Sequence, residues 1–167
     1  MATSATPMGA EPTDTLSASG SFTGKVRHMK IASGYGTAIF YGDFVKLVAA
    51  GTVEKSAITT AVVAGTVGIF VGCSYTDPTS NQLTFNQQFP ASTAADDIMA
   101  YVVDDPDLVF RMQGDGSIAQ TGLGNNVSLV NTAGSTSIGR SKNAVDASTI
   151  ATTNSLPMRI VEFVDGP

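Results

Sequence analysis

Four aspartates within twelve residues are the strongest candidates for chemistry in this chain. They are Asp104, Asp105, Asp107 and Asp115. Carboxylate oxygens are the ligands that Ca²⁺ prefers, so the group could hold a calcium ion. The spacing does not fit an EF-hand loop, because Val109 stands at the sixth position, where a Gly is needed. Turn formation by aspartates around Pro106 explains the pattern better. The sequence predicts no metal site and keeps these aspartates only as calcium candidates.

Histidine-assisted catalysis could form around one residue only, since His28 is the single histidine. It stands in a strand-like run, where a surface or packing role is the common one. Cys73 is the single cysteine and lies in an apolar run, which favours a small buried side chain and excludes an intrachain disulfide. One Cys and one His do not supply the ligands of a structural zinc site. We therefore expect no catalytic residue, no cofactor and no enzyme activity.

The composition excludes other classes of function. The net charge is −5 and the nine Lys and Arg are scattered, whereas nucleic-acid binding needs a clustered positive face. Charged residues make up 14% of the chain, against about 25% in ordinary soluble domains. No apolar run approaches the roughly 20 residues that span a membrane, and no secretory signal pattern is present. We expect no nucleic-acid or membrane partner and synthesis in a reducing cytoplasm.

Short apolar runs separated by Gly, Asn, Asp and Pro predict an antiparallel β-domain. Strands are expected near 22–31, 38–41, 43–49, 52–60, 66–75, 82–89, 98–104, 107–113, 127–130 and 158–164. In the run at 66–75, alternation predicts that Val67, Ile69, Val71 and Cys73 share one face. The stretch 98–119 is expected to form a hairpin-like strand, turn and strand.

Irregular and helical segments are few. Short helices are expected at 117–121 and at 144–150, where Asp146 lies in the first turn. Residues 131–143 are small and polar, which predicts a surface loop. The predicted fold is mainly β: a compact antiparallel β-barrel or β-sandwich-like domain at 22–167, with one or two short helices and an extended N-terminal arm.

That arm comprises residues 1–21, which combine prolines with small polar residues and hold few large apolar groups. Such a segment cannot bury enough apolar surface to fold alone. It is either a loose terminus or an extended arm that becomes ordered against a neighbouring chain.

Four segments of the chain resemble a known family. They are IASGYGTAIFYGDFVKL at 31–47, GIFVGCSYTD at 68–77, FPAS at 89–92 and AYVVDDPDLVFRMQGDGSIAQT at 100–121. Together they are similar to the small proteins that decorate, or cement, the capsids of tailed bacteriophages. The similarity covers residues 28–131 and the terminal run at 158–164.

This resemblance implies a β-rich domain, a homotrimer, that sits on the outer surface of the phage head and clamps adjoining capsomers. The partner would be the major capsid protein of the same phage, with synthesis in the host bacterial cytoplasm. Candidate capsid contacts in the arm are Pro7, Met8, Pro12 and Leu16. Two alternatives stay open: another phage structural protein of the tail or head completion, and a calcium- or sugar-binding β-sandwich module.

Overall fold

The structure is a computed structural model that describes residues 6–16 and 24–164. Within these ranges the chain forms short β-strands and two three-residue 3-10 turns. The strands are β1 Glu11–Thr15, β2 Arg27–Lys30, β3 Phe44–Leu47, β4 Val53–Lys55, β5 Thr66–Thr76, β6 Leu83–Asn86, β7 Met99–Val103, β8 Leu108–Arg111, β9 Asn126–Val127, β10 Leu129–Val130, β11 Ala144–Val145 and β12 Met158–Arg159. The predicted mainly β fold is confirmed.

A six-stranded antiparallel sheet organises the domain. Its strands follow the order β2-β7-β5-β3-β4, and β6 pairs with the end of β5. β5 is long enough, at 11 residues, to pair with three other strands. The path through the sheet ends at β2 and β4, so this sheet does not close into a barrel.

Two apolar clusters pack on this sheet. One contains Ile31, Phe70, Phe89 and Ile98, all fully buried. The other contains Phe44, Ile69 and Leu129, and Phe110 packs against it. Leu129 and Phe110 come from β10 and β8, which lie outside the main sheet in small two-stranded sheets. The arrangement is therefore layered and sandwich-like.

The expected alternation along β5 is wrong. Val67 packs against the first cluster, Ile69 and Val71 belong with the second, and Cys73 lies in the first again. Two irregularities in strand pairing change the side that each residue faces. One falls opposite Val45 and Lys46, and the other lies between Phe70 and Gly72. A β-bulge inserts a residue and so reverses the alternation beyond it.

The stretch 98–119 is also not a hairpin. β7 pairs with β2 and β5, whereas β8 pairs with β1 in a separate sheet. The predicted strand, turn and strand are present, but the turn carries the chain from one layer to another. A turn-forming sequence fixes a local reversal of the chain and does not determine which strands pair.

Each of the two predicted helices is a single 3-10 turn in the structure, at Gln120–Gly122 and Ala147–Thr149. Ala144–Val145 is a strand, and Asp146 then caps the second turn by accepting from the Ser148 N–H. Several expected strands are shorter than predicted, and residues 22–23 lie outside the described ranges. The run at 38–41 contributes only isolated bridges.

Candidate interaction surface

Three of the four candidate calcium ligands use their carboxylates in separate contacts, and Asp107 takes part through its backbone N–H. The Asp104 carboxylate lies 2.8 Å from Arg27 Nε. Asp105 accepts a 3.0 Å hydrogen bond from the Asp107 N–H, and Asp115 accepts a 2.9 Å bond from the Ala147 N–H. Across the described ranges, no three His, Cys, Asp or Glu side chains are grouped so that they could hold a metal ion.

His28 and Cys73 do not meet. His28 is exposed on β2 and its ring lies 4.7 Å from that of Tyr101. Cys73 is fully buried, in the same cluster as Ala100, which precedes Tyr101 on β7 and so points to the opposite face of the sheet. Burial raises the pKa of the Cys73 thiol to about 12. Because the thiolate is the reactive form, this side chain is a core residue without nucleophilic character.

The described part of the N-terminal arm is attached to its own domain. β1 pairs antiparallel with β8, with Glu11 opposite Arg111 and Pro12 opposite Phe110. Glu11 also forms an ion pair with Arg111, at 2.6 Å. A bulge follows Pro12, which suits a residue that cannot donate to the strand ladder. The arm therefore adds a strand to the second layer of the same chain.

A tight backbone contact fixes the arm just before β1. Ala10 is fully buried and donates a 3.0 Å hydrogen bond to the Gly42 carbonyl. Gly9 has φ +78°, and a Cβ there would lie 2.5 Å from the Ser141 Cβ. Gly9 therefore lets the arm pass directly over Ser141, where any larger residue would collide.

Beneath this contact lies a buried polar cluster around Asp43, whose side chain is fully buried. Its carboxylate accepts hydrogen bonds from Ser141 Oγ at 2.6 Å and from the Phe40 N–H at 2.9 Å. Lys55 Nζ lies 3.0 Å from the same carboxylate, and Asn143 Nδ2 lies 3.3 Å from it. The charge is thus paired and hydrogen-bonded, as a buried carboxylate requires.

This cluster was missed by sequence reasoning. The predicted surface loop at 131–143 is wrong at its end, because Ser141 and Asn143 are buried. Their partner is about a hundred residues away in sequence, and no local pattern connects them. The only local signal for this cluster is the Gly-Asp pair at 42–43, and the same pair is equally typical of an ordinary turn.

The four arm candidates have different exposures. Met8 and Leu16 are exposed, at 48% and 66%, and stand at opposite ends of β1. Pro7 and Pro12 are half-buried. Residues 1–5 and 17–21 of the predicted arm lie outside the described ranges.

A groove runs beside this strand, with a volume of about 1210 Å³. It lies between β1, β8 and the C-terminal segment 157–164, and we call it the arm groove. Its apolar walls include Leu108, Phe110, Met158 and Val164, and both Met8 and Leu16 border it. Val164 is 67% exposed. The arm and the groove together form the candidate interaction surface.

No protein-family model, curated protein or solved structure matches this chain. In the described ranges, no helix is long and apolar enough to cross a membrane.

Proposed function

We propose that this chain is a structural protein of a bacteriophage virion that binds the outer surface of the head and cements neighbouring capsomers. The observation that supports this proposal is the anchored arm. Buried Ala10 fixes the arm to the domain, while Met8 and Leu16 remain exposed on either side of β1. The sequence resemblance supplies the identity of the partner, the major capsid protein, and the homotrimeric state.

The arm is suited to binding because its backbone is already ordered. Strand pairing with β8 and the contact with Gly42 hold it in place before any partner arrives. Binding then costs less conformational entropy than the folding of a loose segment would. Exposed apolar side chains beside a groove with both apolar and charged walls mark a site of contact with another protein. The partner surface would cover Met8, Leu16 and the walls of the arm groove.

Cementing follows from mass action and multivalency. A protein that binds the assembled shell better than the opened shell stabilises the assembled form. A trimer that attaches through three arms gains effective affinity from linkage alone. Weak single contacts by a few exposed side chains are therefore sufficient for tight decoration.

The test is the double substitution Met8→Ser with Leu16→Ser. Both side chains are exposed, so the fold is retained while the apolar contact is lost. Binding to expanded heads that lack this protein should weaken about tenfold or more per attachment, since tenfold corresponds to about 1.4 kcal/mol. The matched control is Val62→Ser, which removes a side chain that is 61% exposed and lies outside the arm groove. Unchanged head binding by the double variant would contradict the proposal.

Deletion of residues 1–21 is a poorer test, because it also removes the contacts that Gly9 and Ala10 make with the domain. A second measurement is the copy number in purified virions. Hundreds of copies indicate decoration of the head, whereas six or twelve copies indicate a ring in the tail or portal, as closed symmetry requires.

A further inference from the structure

Lys55 and Asn143 approach the same buried carboxylate from two directions. Lys55 Nζ lies 3.0 Å from Asp43 Oδ2, and Asn143 Nδ2 lies 3.3 Å from Asp43 Oδ1. The side chains of Asp43 and Lys55 are 0% and 13% exposed, and Asn143 is 2% exposed. An amine and a carboxamide are therefore held beside the two oxygens of one carboxylate, with little access to water.

These groups are the reactants of an amide exchange. A lysine amine that has lost its proton is a nucleophile, and the carbon of a carboxamide can accept it. A carboxylate within hydrogen-bond reach of the amine can act as the general base. The Asp43 carboxylate is itself held in place, because it accepts from Ser141 Oγ at 2.6 Å and from the Phe40 N–H at 2.9 Å. Nucleophile, acceptor and base thus meet at one fixed point.

The Asn143 amide is oriented for attack. The Thr132 N–H donates a 3.1 Å hydrogen bond to Asn143 Oδ1. Because a backbone N–H can only donate, the amide oxygen faces Thr132 and the amide nitrogen faces Asp43. A donor on the carbonyl oxygen stabilises the negative charge that develops there during attack. The nitrogen that must leave lies against the group that can protonate it.

The geometry also favours reaction over separation of the groups. Lys55 carries its amine on a flexible four-carbon stem, so Nζ can swing from Oδ2 toward the amide beside Oδ1. The Phe40 ring lies 5.9 Å from Nζ and helps to enclose it. The Asn143 N–H donates to Ser141 Oγ at 3.2 Å, which holds the acceptor in place. Fixing two reactants side by side removes much of the entropic part of the barrier.

We propose that Lys55 and Asn143 form an intramolecular isopeptide bond, with Asp43 as the acid and base of the step. Asp43 takes a proton from the Lys55 ammonium, and the amine attacks Asn143 Cγ. A new N–C bond forms and the Cγ–Nδ2 bond breaks. Asp43 carries two protons in turn from the Lys55 nitrogen to the departing nitrogen. The products are one secondary amide and one ammonium ion, and the carboxylate is restored.

The bond joins the two layers of the domain. Lys55 ends β4 in the main sheet, and Asn143 directly precedes β11 in a separate two-stranded sheet. A covalent link between positions that are distant in sequence restricts the unfolded chain, as a disulfide does. The step needs no oxidant and no second cysteine, so a chain whose single cysteine is buried can still be cross-linked. It is a single self-reaction without turnover.

Mass spectrometry of the purified full chain tests this bond. After incubation at neutral pH, the folded wild-type chain should weigh less than its sequence by one molecule of ammonia. Trypsin should then release the peptides 47–111 and 143–159 joined as one species, without cleavage after Lys55, because the amine is blocked. Fragmentation of this species should place the link between Lys55 and Asn143.

Lys55→Arg is the matched variant, because it keeps a positive charge beside Asp43 but has no amine that can attack. It shares any trimming at the N-terminus with the wild-type chain and should lose no ammonia. Asp43→Asn keeps both reactants but removes the base, so it should also lose no ammonia. Lys142→Arg is the control, since this exposed lysine adjoins Asn143 and its replacement should leave the ammonia loss unchanged. Near-UV circular dichroism checks that each variant is folded.

Three results would overturn the inference. The first is a folded wild-type chain that loses nothing. The second is loss of water in place of ammonia, which links Lys55 to Asp43 and leaves Asn143 unreacted. The third is loss of ammonia that persists in Lys55→Arg, which shows that Asn143 cyclises on its own backbone. The bond rests on the Asp43 cluster alone, so these results are separate from any test of binding to phage heads.

Discussion

Ser141 donates a 2.6 Å hydrogen bond to the carboxylate of Asp43, which lies 98 residues earlier in the chain. Both side chains are fully buried. The bond joins the start of β3 to the loop that precedes β11, and the arm crosses directly over it at Gly9. The position of the arm therefore depends on a polar contact deep in the domain.

Replacement of Ser141 by Ala should lower the free energy of unfolding by about 1.5–3 kcal/mol, because hydrogen bonds to charged groups in buried sites are worth that much. Urea denaturation measures the change. Ser137→Ala is the control, since this serine is exposed on the same loop, and its effect should stay within about 0.5 kcal/mol. Equal effects for the two variants would show that the Ser141 bond contributes nothing to stability.

Lys55 supplies the positive charge beside Asp43, with its Nζ 3.0 Å from the carboxylate. Lys55→Met keeps the length of the side chain but leaves the Asp43 charge buried without its ionic partner. We expect a loss of about 3–5 kcal/mol in the free energy of unfolding, measured by chemical denaturation. Lys46→Met is the control, because Lys46 lies 4.0 Å from Glu54 in a partly exposed pair worth at most about 1 kcal/mol. A loss no larger than that of the control would contradict the assignment of Asp43 as a buried charge.

Local sequence patterns predicted the strands because β-branched and aromatic runs between turn residues are local signals. The strands around Asp104 to Asp107 were found in this way, and so was the turn between them. Their separation into two sheets was not predictable, because pairing depends on β1 and β5, which are distant in sequence. The bulges of β5 were missed for the same reason, since each one is defined by its partner strand.

The buried polar cluster around Asp43 could not be predicted either, because its members are distant in sequence. Composition singles out Met8 and Leu16 as large apolar groups in a polar segment, and both are exposed in the structure. The need for Gly9 arises from its positive φ and from its close contacts with Ser141 and the Gly42 carbonyl, which the fold creates. In a segment of small polar residues, the sequence alone does not distinguish a structurally required glycine from a linker glycine.

Gly9→Ala should detach the arm. The residue has φ +78° and its new Cβ would lie 2.5 Å from the Ser141 Cβ, so the variant suffers both backbone strain and collision. Hydrogen exchange of the β1 amides should become faster, and the arm should be cleaved sooner in limited proteolysis. Gly34→Ala is a close control, because Gly34 has φ +71° but nothing lies within 4 Å of the place an added methyl would occupy. It should cost only the strain of about 1–2 kcal/mol and leave β1 protected. Unchanged exchange in the Gly9 variant would contradict the anchoring role.

Asp97 should make stability sensitive to acid. The hydrogen bond from the Thr76 side chain, followed by that from the Thr76 N–H, lowers the pKa of this carboxyl below its ordinary 3.8. A depressed folded-state pKa contributes stability above the ordinary value, and this contribution is lost as the pH falls below about 4. Asp97→Asn should therefore show a smaller drop in melting temperature between pH 6 and pH 3 than the wild-type chain. Asp96→Asn, an exposed neighbour, serves as the control. Identical acid profiles for wild type and Asp97→Asn would contradict this role.

Cys73 should make stability sensitive to alkali, with the opposite sign. Burial raises the pKa of its thiol from 9.0 to about 12. Below pH 9 the thiol is protonated in both the folded and the unfolded chain, so its contribution is constant. Between pH 9 and 12 the unfolded chain ionises first, which favours unfolding by about 1 kcal/mol per pH unit. Chemical denaturation from pH 8 to pH 10.5 should therefore show a steeper loss of stability for the wild-type chain than for Cys73→Ala. Comparison of the two slopes cancels the Tyr and Lys titrations that both chains share.

The burial of Cys73 also predicts the reactivity of its thiol. An aromatic disulfide reagent should label the thiol at pH 8 only after denaturant is added, and rapid labelling of the native chain would show that the site opens.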